Sequence, residues 1–382
     1  MPHRTAQRYL LELTGLPTAA GREHRVIDWV ERWARRRQHV RFTRDRFGNL
    51  MLAHANARSR RPIILAAHMD HPAFVVAQVQ SPRLIEAEFR GGVADRFFKP
   101  RTPVTLHRDD ADAVPGRIVR VKRGVAAGTE QARHQKDKRV VIELDQPAKA
   151  QTGDVITWGL PQPRIRSGRL HAPACDDLAG VAAAIAAFEQ LLRPVRSSRA
   201  RTASPPDVRV LLTRAEEVGF IGAIAACRSG FIPTGTRLIA LENSKSFAES
   251  PIGSGPIVRV GDRTSTFDPD LTYRVGRIAQ ALAEKDPSFK WQRRLMPGGT
   301  CEATAYQALG YTATCLCLPL GNYHNMNEQT GRIDSEIISL ADYHGLVRLL
   351  VEVGRSLDDP SAAPQLRRRM DELFQTRRSL LR

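Results

Sequence analysis

The chain is short of several things. Its 382 residues include five cysteines, and Cys175, Cys227, Cys301, Cys315 and Cys317 are scattered without CxxC spacing. An odd, dispersed set is no disulfide framework, and a reducing cytoplasm is the expected compartment. Long apolar runs are missing too. The longest, Leu178 to Phe188, falls far short of the ~20 residues that a membrane span needs. The opening Met1-Pro2-His3-Arg4-Thr5 leads into amphipathic sequence with no apolar core and no small-residue cleavage site, so no secretory signal is read there. Acidic residues are outnumbered, 40 against 58 basic, for a net charge of +18. Lysine is scarce as well: eight of the 58, leaving 50 arginines spread along the whole chain. A nucleic-acid groove concentrates its charge, and apart from Arg35-Arg36-Arg37 and Arg367-Arg368-Arg369 this chain does not. The charge is therefore read as background composition.

Hydrophobic residues at 42% and charged residues at 26% are what a folded globular chain carries. Residues 8–37 read as two helices broken at Gly15-Leu16-Pro17, and Ile63-Ile64-Leu65-Ala66-Ala67 as a strand buried on both faces. From about 78 to 165 the texture changes to short alternating strands (84–89, 117–121, 140–144, 154–158) between Gly, Pro and charged turns, which suggests a small barrel. A polar loop is expected over 124–138. Helices and strands then alternate: helix 178–192, a Ser/Arg/Pro linker at 194–206, strand 208–213, helix 217–229, strand 237–241, helix 268–285, strand 311–318 and helix 335–355. The tail 361–382 reads as a basic amphipathic helix. The expected fold is α/β, a mostly parallel mixed sheet flanked by helices, with halves 1–77 and 166–382 interrupted by an all-β insert at 78–165.

Candidate chemistry sits where buried strands end. Ile64 to Ala67 runs into His68-Met69-Asp70, Val210 to Thr213 into Glu216-Glu217, and Leu238 to Leu241 into Glu242. Cys315 to Leu318 runs toward His324, and Asp176-Asp177 opens an apolar helix. Each alone has an ordinary explanation: a loop histidine, a solvated acidic pair, a helix cap. Together they place imidazoles and carboxylates at the carboxyl ends of strands, where open α/β sheets gather ligands, and they supply the N/O donors that zinc takes.

In order and spacing these residues resemble the dinuclear metal aminopeptidases of the tetrahedral-aminopeptidase and glutamyl-aminopeptidase type, in the superfamily that also holds carboxypeptidase G-like and acylase-like hydrolases. The resemblance spans nearly the whole chain, including Gly21-Arg22-Glu23, Asp45 to Asn49, the inserted β domain and Gly153-Asp154. It implies a zinc-exopeptidase-like fold that removes N-terminal residues from short peptides. Two divalent ions would serve it, Zn2+ first, with Co2+ or Mn2+ as alternatives. It implies His68 and Glu242 as ligands of one ion, Glu217 and His324 of the other, Asp176 between them, Glu216 as general base and Asp70 orienting His68. Gly298-Gly299-Thr300-Cys301-Glu302-Ala303 resembles the family's Gly-Gly-Thr-Asp-Ala pocket loop with one residue added, which points to Gly299, Thr300, Cys301 and Glu302 for substrate binding. Assembly of a homo-oligomer through the β insert is also implied, with neither membrane nor nucleic acid as partner. The chain departs from the pattern at Leu178 (usually Arg), His71 (usually Glu) and Glu242 (usually Asp), which marks a divergent branch. A deacylase or carboxypeptidase of the same superfamily, and a non-catalytic basic binding protein on a hydrolase scaffold, are the rival readings.

Overall fold

The computed structural model describes residues 2–59, 61–122, 138–193, 206–359 and 366–381. Most of the loop expected over 124–138 and the linker over 194–206 lie outside the described residues. An eight-stranded mixed sheet organises the chain, in the spatial order Val40–Arg44, Leu50–His54, Val208–Thr213, Ile63–His68, Arg237–Lys245, Thr312–Leu320, Ile257–Gly261, Gln292–Leu295. The central four strands, from Val208–Thr213 to Thr312–Leu320, are mutually parallel. Their side chains alternate between two cores, which is why they read as unbroken apolar runs. Ile63, Leu65 and Ala67 face the helices Pro2–Leu13, Leu178–Leu191 and Leu340–Ser356. Ile64 and Ala66 face Ile221–Arg228 and Glu302–Ala308.

The helix Leu178–Leu191 is apolar nearly all round because it is buried nearly all round. At its start the structure departs from the capping reading. Asp177 makes no side-chain cap hydrogen bond and instead accepts from Asn243 Nδ2 at 2.8 Å. Any side chain at Gly180 would run into the Asp177 carboxylate, so this turn requires glycine.

A closed antiparallel barrel interrupts the sheet, in the order Ala73–Ser81, Leu84–Arg90, Lys138–Leu144, Val114–Lys122, Pro103–His107, Val155–Trp158. Its first strand begins ahead of residue 78. Phe74 and Val76 point into the barrel core, whereas Ala73 and Val75 pack outward with Ala19 and Val155, and burial on both sides hides the alternation that marks a barrel strand. Phe74, Phe89, Phe98 and Trp158 fill the interior edge to face, with ring centroids 4.7 Å apart for Phe74 and Trp158.

Two other boundaries moved. Residues expected to open the last long helix form the strand Glu336–Ser339, paired with Arg169–Ala172, and the helix begins at Leu340 with Ser339 as its cap. The expected tail helix is found at Leu366–Arg377, exposed along its described length. Among the described residues no helix is long and apolar enough to cross a membrane.

His107, on a barrel strand, bears on acid stability. Burial and then the Arg25 guanidinium lower its pKa from 6.5 to about 4. The folded value is the lower one, so its contribution is complete above pH 6.5 and is lost as pH falls from there toward 4. His107→Gln is expected to flatten the acid limb of a plot of unfolding free energy against pH across that window, by up to about 1.4 kcal/mol per pH unit. An unchanged limb would contradict this.

Candidate metal centre

Four strands deliver their ends to one place. His68 closes the strand Ile63–His68 and is 1% exposed. Its Nδ1 lies 3.1 Å from the Asp70 carbonyl, which can only accept, so Nδ1 carries the proton and Nε2 is free to ligate. That Nε2 faces Asp176 Oδ1 at 3.6 Å and Glu216 Oε2 and Glu242 Oε2 at 3.8 Å each. His324 repeats the device. Its Nδ1 donates to the Gly92 carbonyl at 2.7 Å, leaving Nε2 facing Asp176 Oδ2 at 3.4 Å and Glu217 Oε1 at 3.3 Å. Asp176 therefore turns one carboxylate oxygen toward each histidine.

The supporting contacts lie mostly beyond what sequence reasoning found. Asp70 uses both carboxylate oxygens to accept the backbone N–H groups of Glu216 and Glu217, each at 3.0 Å. Its carboxylate stands 3.6 Å from His68 Nδ1, so its strongest contacts set the Glu216-Glu217 turn. Glu336, read from sequence as the start of a helix, is fully buried. It accepts from the backbone of Cys175 at 2.6 Å and Asp176 at 3.0 Å through one oxygen, and from His324 N–H at 2.8 Å through the other. One carboxylate thus ties the Asp176 segment to the His324 turn. Its only sequence signal is a lone acid between Ser335 and apolar Ile337-Ile338. His71 Nδ1 lies 2.5 Å from the Asp176 carbonyl and its Nε2 3.0 Å from Asn325 Oδ1; Asn325 is oriented by its own donation to Pro173.

The electrostatics are those of a cation site. Burial pushes Glu216 and Glu242 well above the usual carboxylate range, and neighbouring acids add to it. Burial acts the same way on Asp176, but the facing His324 and His68 imidazoles carry it well below. Both imidazoles, which burial alone would lower, are raised by the surrounding carboxylates. Asp176 Oδ1 and Glu217 Oε1 are buried without any hydrogen-bond partner, a costly arrangement unless a cation takes them. Two sets, His68–Asp176–Glu242 and Asp176–Glu217–His324, present ligand atoms within 4.8 Å of one another and share Asp176, and a third joins His68 to Glu216 and Glu217. The donor set fits divalent ions of the zinc type.

Beside Glu242 opens a cavity of about 240 Å³, lined among others by Ser244, Arg259, Met296 and Tyr323. Gly299, Thr300 and Cys301 line it; Glu302 does not. Its side chain is fully buried and accepts from Tyr306 Oη at 3.2 Å. Its backbone N–H reaches Glu242 Oε1 at 3.4 Å. Arg259, which the sequence reading did not single out, is 4% exposed. Its Nη1 donates to Ser244 Oγ at 3.3 Å, and its Nε has no partner. Nothing near it in sequence marks it, because its neighbours in the cavity come from four other segments.

A parallel sheet ending in clustered imidazole and carboxylate donors is the arrangement of a candidate divalent-metal site. The profile of the M42 glutamyl aminopeptidases matches residues 48–341, and the chain belongs to that family, a peptidase. No curated protein sequence matches it. Solved structures similar to it include an aminopeptidase from the archaeon Desulfurococcus kamchatkensis, at 21% identity and TM-score 0.71, covering 92% of this chain and 95% of that one. The TET1 peptidase of Pyrococcus horikoshii, described as assembling into a tetrahedron or a large octahedral shell, matches at 19% identity and TM-score 0.72, covering 91% and 99%. An M18-family aminopeptidase from Thermotoga maritima follows at 12% and 0.63, covering 92% and 96%. At these identities the likenesses speak for the fold.

Proposed function

We propose that the chain is a dinuclear metal-dependent aminopeptidase that removes N-terminal residues, acidic ones preferentially, from short peptides. The observation that carries this is the Asp176 carboxylate, divided between His68 and His324 with a buried oxygen left unpartnered. His68 and Glu242 would hold one ion, Glu217 and His324 the other, with Asp176 between; Zn2+ suits the donors, and Co2+ or Mn2+ are alternatives. Bound there, the ions supply Lewis-acid polarisation of the scissile carbonyl and acidify water. Glu216, set by Asp70 and raised in pKa by burial, takes the proton of the attacking water on a carboxylate oxygen and passes it to the leaving amine nitrogen. Arg259 pairs with an acidic side chain seated in the adjoining cavity, since its buried charge forms no ion pair among the described residues.

Residues 1–77 and 166–382 form the catalytic part in this reading, and 78–165 the barrel through which copies of the chain assemble. The tetrahedral and octahedral assemblies described for the Pyrococcus horikoshii neighbour support a homo-oligomer. The barrel's place between His68 and Asp176 supports an aminopeptidase over a deacylase or carboxypeptidase.

Metal analysis with an aminoacyl-anilide panel tests the reading. Free-amine substrates should be cleaved and N-acetylated peptides spared. Chelation should abolish turnover, and Zn2+ or Co2+ should restore it. Glutamyl should exceed leucyl substrates in kcat/KM, and Arg259→Met should erase that preference by roughly 10- to 100-fold. Full turnover after exhaustive removal of metal would overturn the metal assignment. Cleavage confined to N-acylated compounds would transfer the chain to the deacylase reading.

A further inference from the structure

The turn that carries Glu216 is held by side chains from distant parts of the chain. Four consecutive backbone N–H groups, Arg214 to Glu217, each donate to one of them. Asn49 Oδ1 accepts from Arg214 at 3.1 Å, and Glu23 Oε1 from Ala215 at 3.0 Å. The two Asp70 oxygens take Glu216 and Glu217. Asn49, Glu23 and Asp70 are all fully buried. The carbonyls are occupied as well: Arg214, Ala215 and Glu216 accept from Gly222 at 2.8 Å, Ile221 at 3.2 Å and Phe220 at 2.9 Å. Ala215 has a φ of 52°, a left-handed conformation that a residue with a side chain keeps only where its surroundings hold it.

Glu23 gives nothing to its own helix. It occupies the N-cap position of His24–Arg35 yet makes no side-chain cap hydrogen bond, which forgoes the usual use of a polar side chain there. Its Oε1 accepts the Gly21 N–H at 2.7 Å alongside that of Ala215. Its Oε2 pairs with Arg214 Nε at 2.7 Å. Arg214 completes the tie, donating from Nη1 to the Phe47 carbonyl at 2.8 Å and from Nη2 to the Gly21 carbonyl at 3.0 Å. One buried carboxylate thus grips the two residues that precede Glu216. Asp70 holds the acidic pair by its own N–H groups, and Glu23 fixes the left-handed residue from which Glu216 projects.

We propose that Glu23 is a positioning residue for Glu216: through the Ala215 N–H and the Arg214 guanidinium it sets the direction in which the base carboxylate leaves the turn. Glu23 belongs to none of the three donor sets, so its removal reaches the chemistry only by way of the turn. Glu217 is anchored at both ends, its N–H on Asp70 and its carboxylate facing His324 at 3.3 Å. Glu216 comes no nearer to His68 than 3.8 Å, so loosening of the turn falls on the base first. A misplacement of about 1 Å is enough to lower turnover by roughly 100-fold.

The role of Glu216 rests on the aminopeptidase reading; the grip on its turn does not, so the experiment measures both. Full-length variants are compared in kcat, KM, metal content and amide hydrogen exchange. Glu23→Ala should lower kcat roughly 10- to 100-fold, with metal content unchanged and KM within about twofold. Exchange at the amides of residues 214–216 should quicken. Glu23→Gln keeps an oxygen for the Ala215 N–H and should recover most of the loss. Combined with Glu216→Gln, Glu23→Ala should cost nothing further in kcat, because no base is left to position. If Glu23→Ala does not fold, Glu23→Asp, which keeps the charge but draws it back by one methylene, makes the same comparison. Wild-type kcat in these variants, loss of metal, or additive losses in the double variant overturn the proposal. Full turnover in Glu216→Gln overturns the base assignment itself, a failure kept apart from that of the grip, which the exchange rates report without any turnover.

Discussion

Glu216→Gln is expected to leave metal content unchanged and to lower turnover by roughly 10²- to 10⁴-fold. The substitution keeps the shape of the side chain and the backbone N–H that Asp70 accepts, so the turn carrying Glu217 should stay in place. What it removes is an oxygen able to take a proton. Glu216 Oε2 lies 3.8 Å from His68 Nε2, close enough that a ligand role is the competing explanation, and metal analysis separates the two. Loss of one ion would make Glu216 a ligand, whereas full metal with full turnover would show that the proton goes elsewhere.

Asp176→Ala should have the wider effect, weakening metal binding at both positions by more than about 100-fold and abolishing turnover. Its two oxygens face different histidines, and each pairs with separate carboxylates, so no neighbour replaces it on both sides. Removal also leaves His68 and His324 facing one carboxylate fewer in a buried site. Calorimetric titration of the metal-free variant with Zn2+ checks this. Two sites of undiminished affinity would end the shared-ligand scheme.

Together the two variants separate binding from proton transfer. In the proposed scheme Asp176 gathers charge and Glu216 moves a proton, from buried positions at the same sheet end.

How much of this was legible beforehand depended on where each signal was stored. His68, Glu216, Glu217 and Glu242 were readable because each follows a run of apolar strand residues, and a polar side chain at the end of a buried strand is conspicuous. His324 was marked by the apolar run Cys315 to Leu318 leading toward it, and the family resemblance implied its ligand role. Glu336 was read as helix because the short strand Glu336–Ser339 precedes a long helix with no break in composition. Arg259 was one arginine among 50, distinguished only by burial. The first barrel strand was hidden because both its faces are covered.

By itself the amino-acid sequence determined the alternating α/β order, the barrel-like insert and the acids and imidazoles at strand ends, because apolar periodicity and its interruptions are local properties of a chain. Only the tertiary structure decided the rest. It turned the Asp176 oxygens to opposite histidines, brought the Gly92 carbonyl to His324 and Glu336 beneath both ligand segments, and buried Arg259 with no ion pair among the described residues. Those relations join residues up to 232 positions apart, and distances of that kind are set by how the sheet and barrel pack rather than by any neighbour along the chain.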